Sequence, residues 1–415
     1  MKRDFALKIF EGFSIDRWND LVRPFDLVEM DKAAEKMVVS YIIGKYEENR
    51  GVEIDWEWMI YASVFDLLRK IALCDIKSPV QRLIHAKYPD EYRRLNEWVL
   101  EQYRGMIEND DILKRFQEYI SVKCGNGSLT PVQEQTARVY GAAHKYSTMR
   151  ELEMISMVNE PERLERIKKE VNADLQTFLD LRGLQLLITK QKPFDFLMRI
   201  EQLRFQTRWN QTPRVPKTSV LGHCFFVAIL TLLFMHENDS KMCPKRIFNN
   251  FFSALFHDLP EAVTRDIISP VKQATDGLPS IVKDIEDIIV SRELVPLMED
   301  FYKDEMLYFT SDEFQNRILV DGKIEHVSFE DLNTKYNSDD FNPVDGKMVR
   351  LADQYSALLE ADSSIRYGIT SKQIEDGRMN LIKAYPFGTW INGIDAFKLF
   401  DSFNADKDGQ RLFVF

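Results

Sequence analysis

Several things are scarce in this chain, and each absence narrows its function. No apolar run approaches the ~20 residues that cross a bilayer, so no membrane partner is expected. The four cysteines, Cys74, Cys124, Cys224 and Cys243, form no CxxC pair, which fits a reduced, cytoplasmic setting. The opening "MKRDFALKIFEGFSIDRW" interrupts its apolar residues with Asp4, Lys8, Glu11 and Asp16, unlike a signal peptide. Basic residues are not in excess: 55 Lys and Arg face 66 Asp and Glu, a net charge of −11. That argues against a nucleic-acid polymer as partner, while leaving room for a small anion in a locally positive pocket. No sustained alternating pattern signals a large sheet, and only "LVDGKIEHVSF" suits a short strand.

What is abundant is helix. "KAAEKMVVSYIIGKYEE", "CFFVAILTLLFMHE" and "RIFNNFFSALFHDL" are apolar runs of helical length, and "DEYRRLNEWVLEQYRGMIE" alternates charge and apolar residues at helical spacing. Thr130-Pro131-Val132-Gln133 has the form of a helix start, with Thr as N-cap and Gln three residues on. At 415 residues, 45% hydrophobic and 29% charged, the chain has length for two or three all-α domains.

The sequence also repeats itself. An ungapped offset of 191 aligns residues 4–23 with 195–214, matching Asp4, Phe5, Ile9, Arg17, Trp18, Asn19 and Arg23 to identical partners. The same offset aligns "SVFDLLRKIALCDIKSPVQ" (63–81) with "ALFHDLPEAVTRDIISPVK" (254–272). Near the end of each half, "VYGAAHKYSTM" (139–149) resembles "VRLADQYSALL" (349–359) at an offset of 209 around Ala143 and Ala352. The extra residues fall in the polar stretch 321–347, which reads as a long loop or small insertion. The expected organisation is two tandem domains, 1–190 and 191–415, with the boundary near "TKQKPFDF".

The two halves differ in reactive side chains. His257-Asp258 closes an apolar helix, where a turn lets adjacent side chains converge on one cation. His223 heads another apolar helix, and Asp353 lies on a third. Two imidazoles and two carboxylates suit one divalent cation with positions left for water or substrate, Mn, Co, Mg, Zn, Fe and Ni all being open. Opposite His223, His257, Asp258, Glu261 and Asp353 the first half has Lys32, Asp66, Leu67, Lys70 and His144. Two lysines there would repel a cation.

The order His, His-Asp, Asp resembles the HD superfamily of metal-dependent phosphohydrolases. Arg208-Trp209, the spacing from His257-Asp258 through Glu261 to Asp266, Pro270-Val271-Lys272 and Ala352-Asp353 are similar to the bacterial 5′-deoxynucleotidases. This resemblance covers roughly residues 195–375, and it departs at Gly222, where the family commonly has Glu. It implies an all-α fold of two HD-like domains, the first degenerate, and hydrolysis of deoxynucleoside 5′-monophosphates in the second. His223, His257, Asp258 and Asp353 would hold the metal, with Glu261 as general acid/base. Asp266 is a second such candidate or a structural group, since the first half keeps it as Asp75. Arg208 would contact phosphate, Trp209 a sugar or base, and Lys272 would add charge. Nucleoside triphosphates, alarmones or a nucleotide-sensing role are the alternatives. The lack of Gly-Tyr-Pro after His257-Asp258 argues against a cyclic-dinucleotide esterase. Family members are commonly dimers, so the first half is expected to act as an internal pseudo-partner in a monomer, a homodimer being the other possibility.

Overall fold

A computed structural model of the protein describes residues 1–74, 76–238, 241–265, 275 and 277–404. It is predominantly helical, as expected of an HD-type fold. The first half contains α1 (Arg3–Phe10), α2 (Glu29–Glu48), α3 (Trp56–Leu73), α4 (Ser78–Lys87), α5 (Pro89–Tyr103), α6 (Asp110–Lys123), α7 (Pro131–Ile155), α8 (Pro161–Gln176) and α9 (Arg182–Ile188). The second half continues with α10 (Lys192–Phe205), α11 (Val220–Met235), α12 (Pro244–Phe256), the short α13 (Glu261–Thr264), α14 (Leu278–Glu293), α15 (Asp300–Thr310), α16 (Phe329–Thr334), α17 (Gly346–Arg366), α18 (Lys372–Lys383) and α19 (Ala396–Asp401). No helix among the described residues is long and apolar enough to cross a membrane.

Local signals in the sequence set several of these helices. Thr130 and Gln133 form the reciprocal capping box that starts α7. Ser219 caps α11 by accepting the Gly222 N–H at 2.9 Å. Every residue of α11 is buried. A helix apolar all round has no face to give to water, so it runs through the interior. There it packs against α12, α17, α10 and, from the other half, α2.

α2 is nearly as buried but carries Glu29, Asp31, Lys32, Glu35 and Lys36 inside the protein. Buried charges need partners, and α2 finds many of them across the join between halves. Arg204 of α10 pairs with Glu35 and, at 2.6 Å, with Glu151 of α7. Asp31 accepts a hydrogen bond from the Ser219 hydroxyl. A Cβ at Gly222 would stand 2.4 Å from Asp31 Oδ1 and 2.8 Å from the Phe13 ring, so no side chain fits at 222. One apolar cluster runs continuously from Phe5 to Phe403 through both halves.

Of the two readings of 321–347, the long loop needs correction, and the short strand expected in "LVDGKIEHVSF" is present as part of a hairpin. β1 (Asn316–Val320) pairs antiparallel with β2 (Lys323–His326) around an Asp321-Gly322 turn with both φ positive. α16 follows, and β3 (Val344–Asp345) returns to β1. Asp345 is fully buried, held by Arg246 at 2.7 and 2.8 Å and by Asn250 at 2.8 Å. That ion pair ties the segment to α12, which composition does not reveal. A second hairpin, β4 (Trp390–Ile391) with β5 (Ile394–Asp395), turns on Asn392-Gly393 and also escaped the alternation test, its strands being two residues long.

Burial pushes the Asp31 carboxyl up to about 6, with Arg204 and the Ser219 hydrogen bond only partly opposing. A carboxyl raised on folding binds more protons when folded, so its contribution to stability falls as pH rises from about 4 to 6. Asp31→Asn keeps an acceptor for Ser219 and removes this loss. The variant should gain about 2–3 kcal/mol over the parent at pH 8 and nothing at pH 4, measured by urea unfolding at both pH values. An equal difference at the two pH values would refute the assignment.

Candidate metal centre

α11, α12 and α17 converge so that their reactive residues meet. Ser219 starts α11 at Val220, which puts His223 in its first turn, fully buried. α12 ends at Phe256, and His257 is its C-cap, donating from Nδ1 to the Ala254 carbonyl at 2.8 Å. The turn after it, closed by Leu259 N–H to Phe256 O, swings Asp258 to the same side. Asp353 comes from the second turn of α17.

His223 Nε2 lies 3.0 Å from Asp353 Oδ1 and 3.9 Å from Asp258 Oδ2. His257 Nε2 lies 3.2 Å from Asp258 Oδ2. Neither Nε2 makes a hydrogen bond, although both are buried. Both Nδ1 atoms are engaged, that of His223 with Ser356 Oγ at 3.0 Å. The imidazoles are therefore oriented from behind, with Nε2 facing carboxylate oxygens. An imidazole lone pair against a carboxylate is repulsive unless a positive charge lies between them. Burial lowers the pKa of His223, with Arg208 adding to the effect. At His257 burial acts the same way but is outweighed by Asp258 and then Cys224, so its pKa rises well above the usual value. The site calls for positive charge at this point, and the N/O donor set fits a divalent cation.

The ligating atoms form two overlapping groups, each within 4.8 Å: His223, His257 and Asp353, and Cys224, His257 and Asp258. Cys224 was not read as a candidate from sequence. It follows His223 on a helix buried on every side, so both face α12. Burial raises its thiol pKa and keeps it neutral.

Arg208 stands over the same carboxylates. Its Nη1 is 3.7 Å from Asp258 Oδ2 and its Nη2 3.9 Å from Asp353 Oδ1, while Nε lies 3.3 Å from Glu360 Oε1. Burial disfavours its charge, but Glu360, Asp353, Asp258 and Glu261 outweigh that and raise its pKa. Trp209 donates its indole N–H to Glu360 Oε2 at 2.6 Å, and Thr218 donates to Oε1 at 2.9 Å. Glu360 is fully buried and, despite burial, its carboxyl is held down at about 2, chiefly by Arg208. Sequence reading missed Glu360. Its signal was the alignment at offset 209, which pairs it with Glu151.

Glu261 begins α13, with its N–H on Asp258 O at 3.0 Å, one turn beyond the metal-binding pair. Asp266 and Lys272 lie outside the described residues.

The architecture around Arg208 occurs twice. Thr207 bridges Ser219, and Asp16 bridges Val28. Arg208 N–H bonds Thr218 O at 3.0 Å, and Arg17 N–H bonds Leu27 O at 2.7 Å. Trp209 and Trp18 share a positive φ, 55° and 56°. Trp18 donates to Glu151 at 2.9 Å as Trp209 does to Glu360. The side chains of the candidate metal centre do not recur. Lys32 donates to the His144 carbonyl at 3.3 Å and to Thr148 Oγ1 at 2.9 Å. Lys36 pairs with Asp66, and Lys70 lies 3.8 Å from Glu29.

A family model described as HD domain matches residues 200–382, a span that contains Arg208, His223, His257, Asp258, Glu261, Asp353 and Glu360. No curated protein matches the sequence. The family match and the His and Asp cluster together support a metal-dependent phosphohydrolase of the HD superfamily.

Proposed function

We propose that this chain, with its HD domain at residues 200–382, is a nucleotidase that releases phosphate from deoxynucleoside 5′-monophosphates. The observation that carries the reading is Arg208. Its two terminal nitrogens point at Asp258 and Asp353 from 3.7 and 3.9 Å, too far for good hydrogen bonds, above two unbonded imidazole nitrogens. A guanidinium fork facing a cation site is suited to the non-bridging oxygens of a phosphoryl group.

His223, His257, Asp258 and Asp353 would hold one divalent cation. Such a cation supplies Lewis-acid polarisation of a phosphoryl oxygen and acidifies water. Arg208 binds and orients the phosphate. Glu360, itself fixed by Trp209 and Thr218, holds Arg208 in place. Glu261 moves the proton, taking it from the attacking water or giving it to the leaving 5′ oxygen. Trp209 would present its ring to the sugar or base and Lys272 its charge to the phosphate. Asp266 is a second candidate for the proton chemistry.

The duplicated geometry supports a second part of the proposal: residues 1–190 are a degenerate HD-like repeat, and residues 191–415 are the catalytic one. The repeat would act as a built-in pseudo-partner. In a two-fold arrangement contacts come in reciprocal pairs. At the offset of 191, Phe13 corresponds to Arg204 and Glu35 to Phe226, and both Phe13–Phe226 and Arg204–Glu35 are in contact. Asp31 and Gly222, also equivalent, touch each other at the join.

The test is a substrate panel. Metal-stripped protein is reloaded with Mn, Co, Mg or Zn and offered nucleoside mono-, di- and triphosphates, phosphate release being measured. Turnover should depend on metal and be highest on deoxynucleoside 5′-monophosphates. Turnover confined to triphosphates or alarmones would overturn the monophosphatase assignment, and none on any substrate would overturn the enzyme.

A further inference from the structure

A cavity of about 910 Å³ lies away from the candidate metal centre, in the first half, between α3, α6 and α7. Its lining includes Asp66, Lys70 and His144, the residues aligned with His257, Glu261 and Asp353. The same place in the repeat is open and differently charged.

Cations converge on it. Arg69, Lys70 and Lys123 line the wall, and Lys36 stands behind Asp66. Arg69 is buried, and its hydrogen bonds to described residues go to neutral groups: Asn96 Oδ1 at 2.7 Å, Gln81 Oε1 at 3.2 Å and Tyr92 Oη at 3.3 Å. This differs from Arg17 and Arg204, which are each clasped by two carboxylates. Lys123 makes no hydrogen bond or ion pair with a described residue. It faces the cavity's solvent, with its ammonium 5.3 Å from the Tyr119 ring centre. Asp66 is already committed to Lys36. Lys70 has Glu29 at 3.8 Å, but Glu29 also serves Arg17 at 2.6 Å. Among the described residues, then, Arg69 and Lys123 have no carboxylate in hydrogen-bonding or ion-pair contact, and Asp66 and Glu29 are shared with other cations.

Aromatic rings line the same cavity, those of Trp58, Tyr61, Tyr119 and Tyr140. A volume in the range of small-molecule sites, with cationic and aromatic side chains in its lining, matches a ligand with a phosphate and a flat ring. The residues aligned with the metal set include a lysine and a leucine, so the anion would be held by lysine and arginine directly.

We propose that the first half binds a nucleoside phosphate in this cavity without metal, its phosphate on Arg69, Lys70 and Lys123 and its base against the aromatic rings. This site is separate from the metal centre and does not rest on the activity proposed above.

The test uses the full chain in EDTA, titrated calorimetrically with dAMP, dATP and inorganic pyrophosphate. Saturable nucleotide binding is expected without metal. Lys123→Ala, which faces solvent, and Lys70→Ala should each weaken it at least tenfold with the melting temperature unchanged, while Asp258→Ala should leave it intact. The proposal is overturned if nothing binds in EDTA, if both lysine variants bind like the parent, or if Asp258→Ala abolishes binding. Pyrophosphate binding as tightly as either nucleotide would overturn the nucleoside part.

Discussion

Asp258→Ala is expected to lower kcat/KM for phosphate release by at least about 1,000-fold and to strip the bound metal. Asp258 Oδ2 sits 3.2 Å from His257 Nε2, 3.9 Å from His223 Nε2 and 3.7 Å from Arg208 Nη1. One oxygen thus lies against both imidazoles of the candidate cation site and the Arg208 guanidinium together. No neighbour can replace it. Cys224, 4.0 Å away, is kept neutral by burial, and Asp353 is already placed against His223. Its carboxyl is held far below the usual carboxylate range, since His257, His223 and Arg208 outweigh burial, so the parent offers an anionic ligand throughout the neutral range. Metal content by elemental analysis and steady-state kinetics give the two readouts. Near-normal turnover with the metal retained would remove Asp258 from the site.

The largest expected effect on stability lies at Glu151. This residue is fully buried and receives Arg17 through three N–H···O contacts of 2.9–3.2 Å, Trp18 at 2.9 Å and Arg204 at 2.6 Å. Despite burial, Arg17, Lys32 and Arg204 hold its carboxyl well below the ordinary range. Glu151→Ala would leave buried guanidinium charge uncompensated, and breaking such a pair costs about 3–5 kcal/mol. Because Arg204 belongs to α10 and Glu151 to α7, the loss loosens the join between the halves. Urea unfolding measures it, and a change below about 1 kcal/mol would show that the network carries little net stability.

The residues of the candidate metal centre were legible because their types are restrictive. His257-Asp258 at the end of an apolar helix, with His223 and Asp353 heading and lining two others, has few other uses. Arg208 was legible as a residue, but its setting was not. Glu360 lies seven residues after Asp353 on the same helix and looks like one more helix-face acid, yet it is the fully buried group that fixes Arg208. Cys224 was set aside with the other unpaired cysteines, and only helix packing turns it toward His257. Gly222, the departure from the family's usual Glu, has a cause sequence could not supply: Asp31 of the other half occupies the space a side chain would need.

By itself the sequence determined what short-range rules govern: helical periodicity, the Thr130 capping box, and which segments carry the His and Asp side chains of the candidate centre. The tertiary structure decided what depends on distant segments meeting. It set two imidazoles against two carboxylates, placed Glu360 behind Arg208, and buried Asp345 on Arg246. It also opened a cationic cavity where the first half has no metal set. Helix formation and ligand type are properties of neighbouring residues, whereas burial and charge balance depend on groups from tens to more than a hundred residues apart.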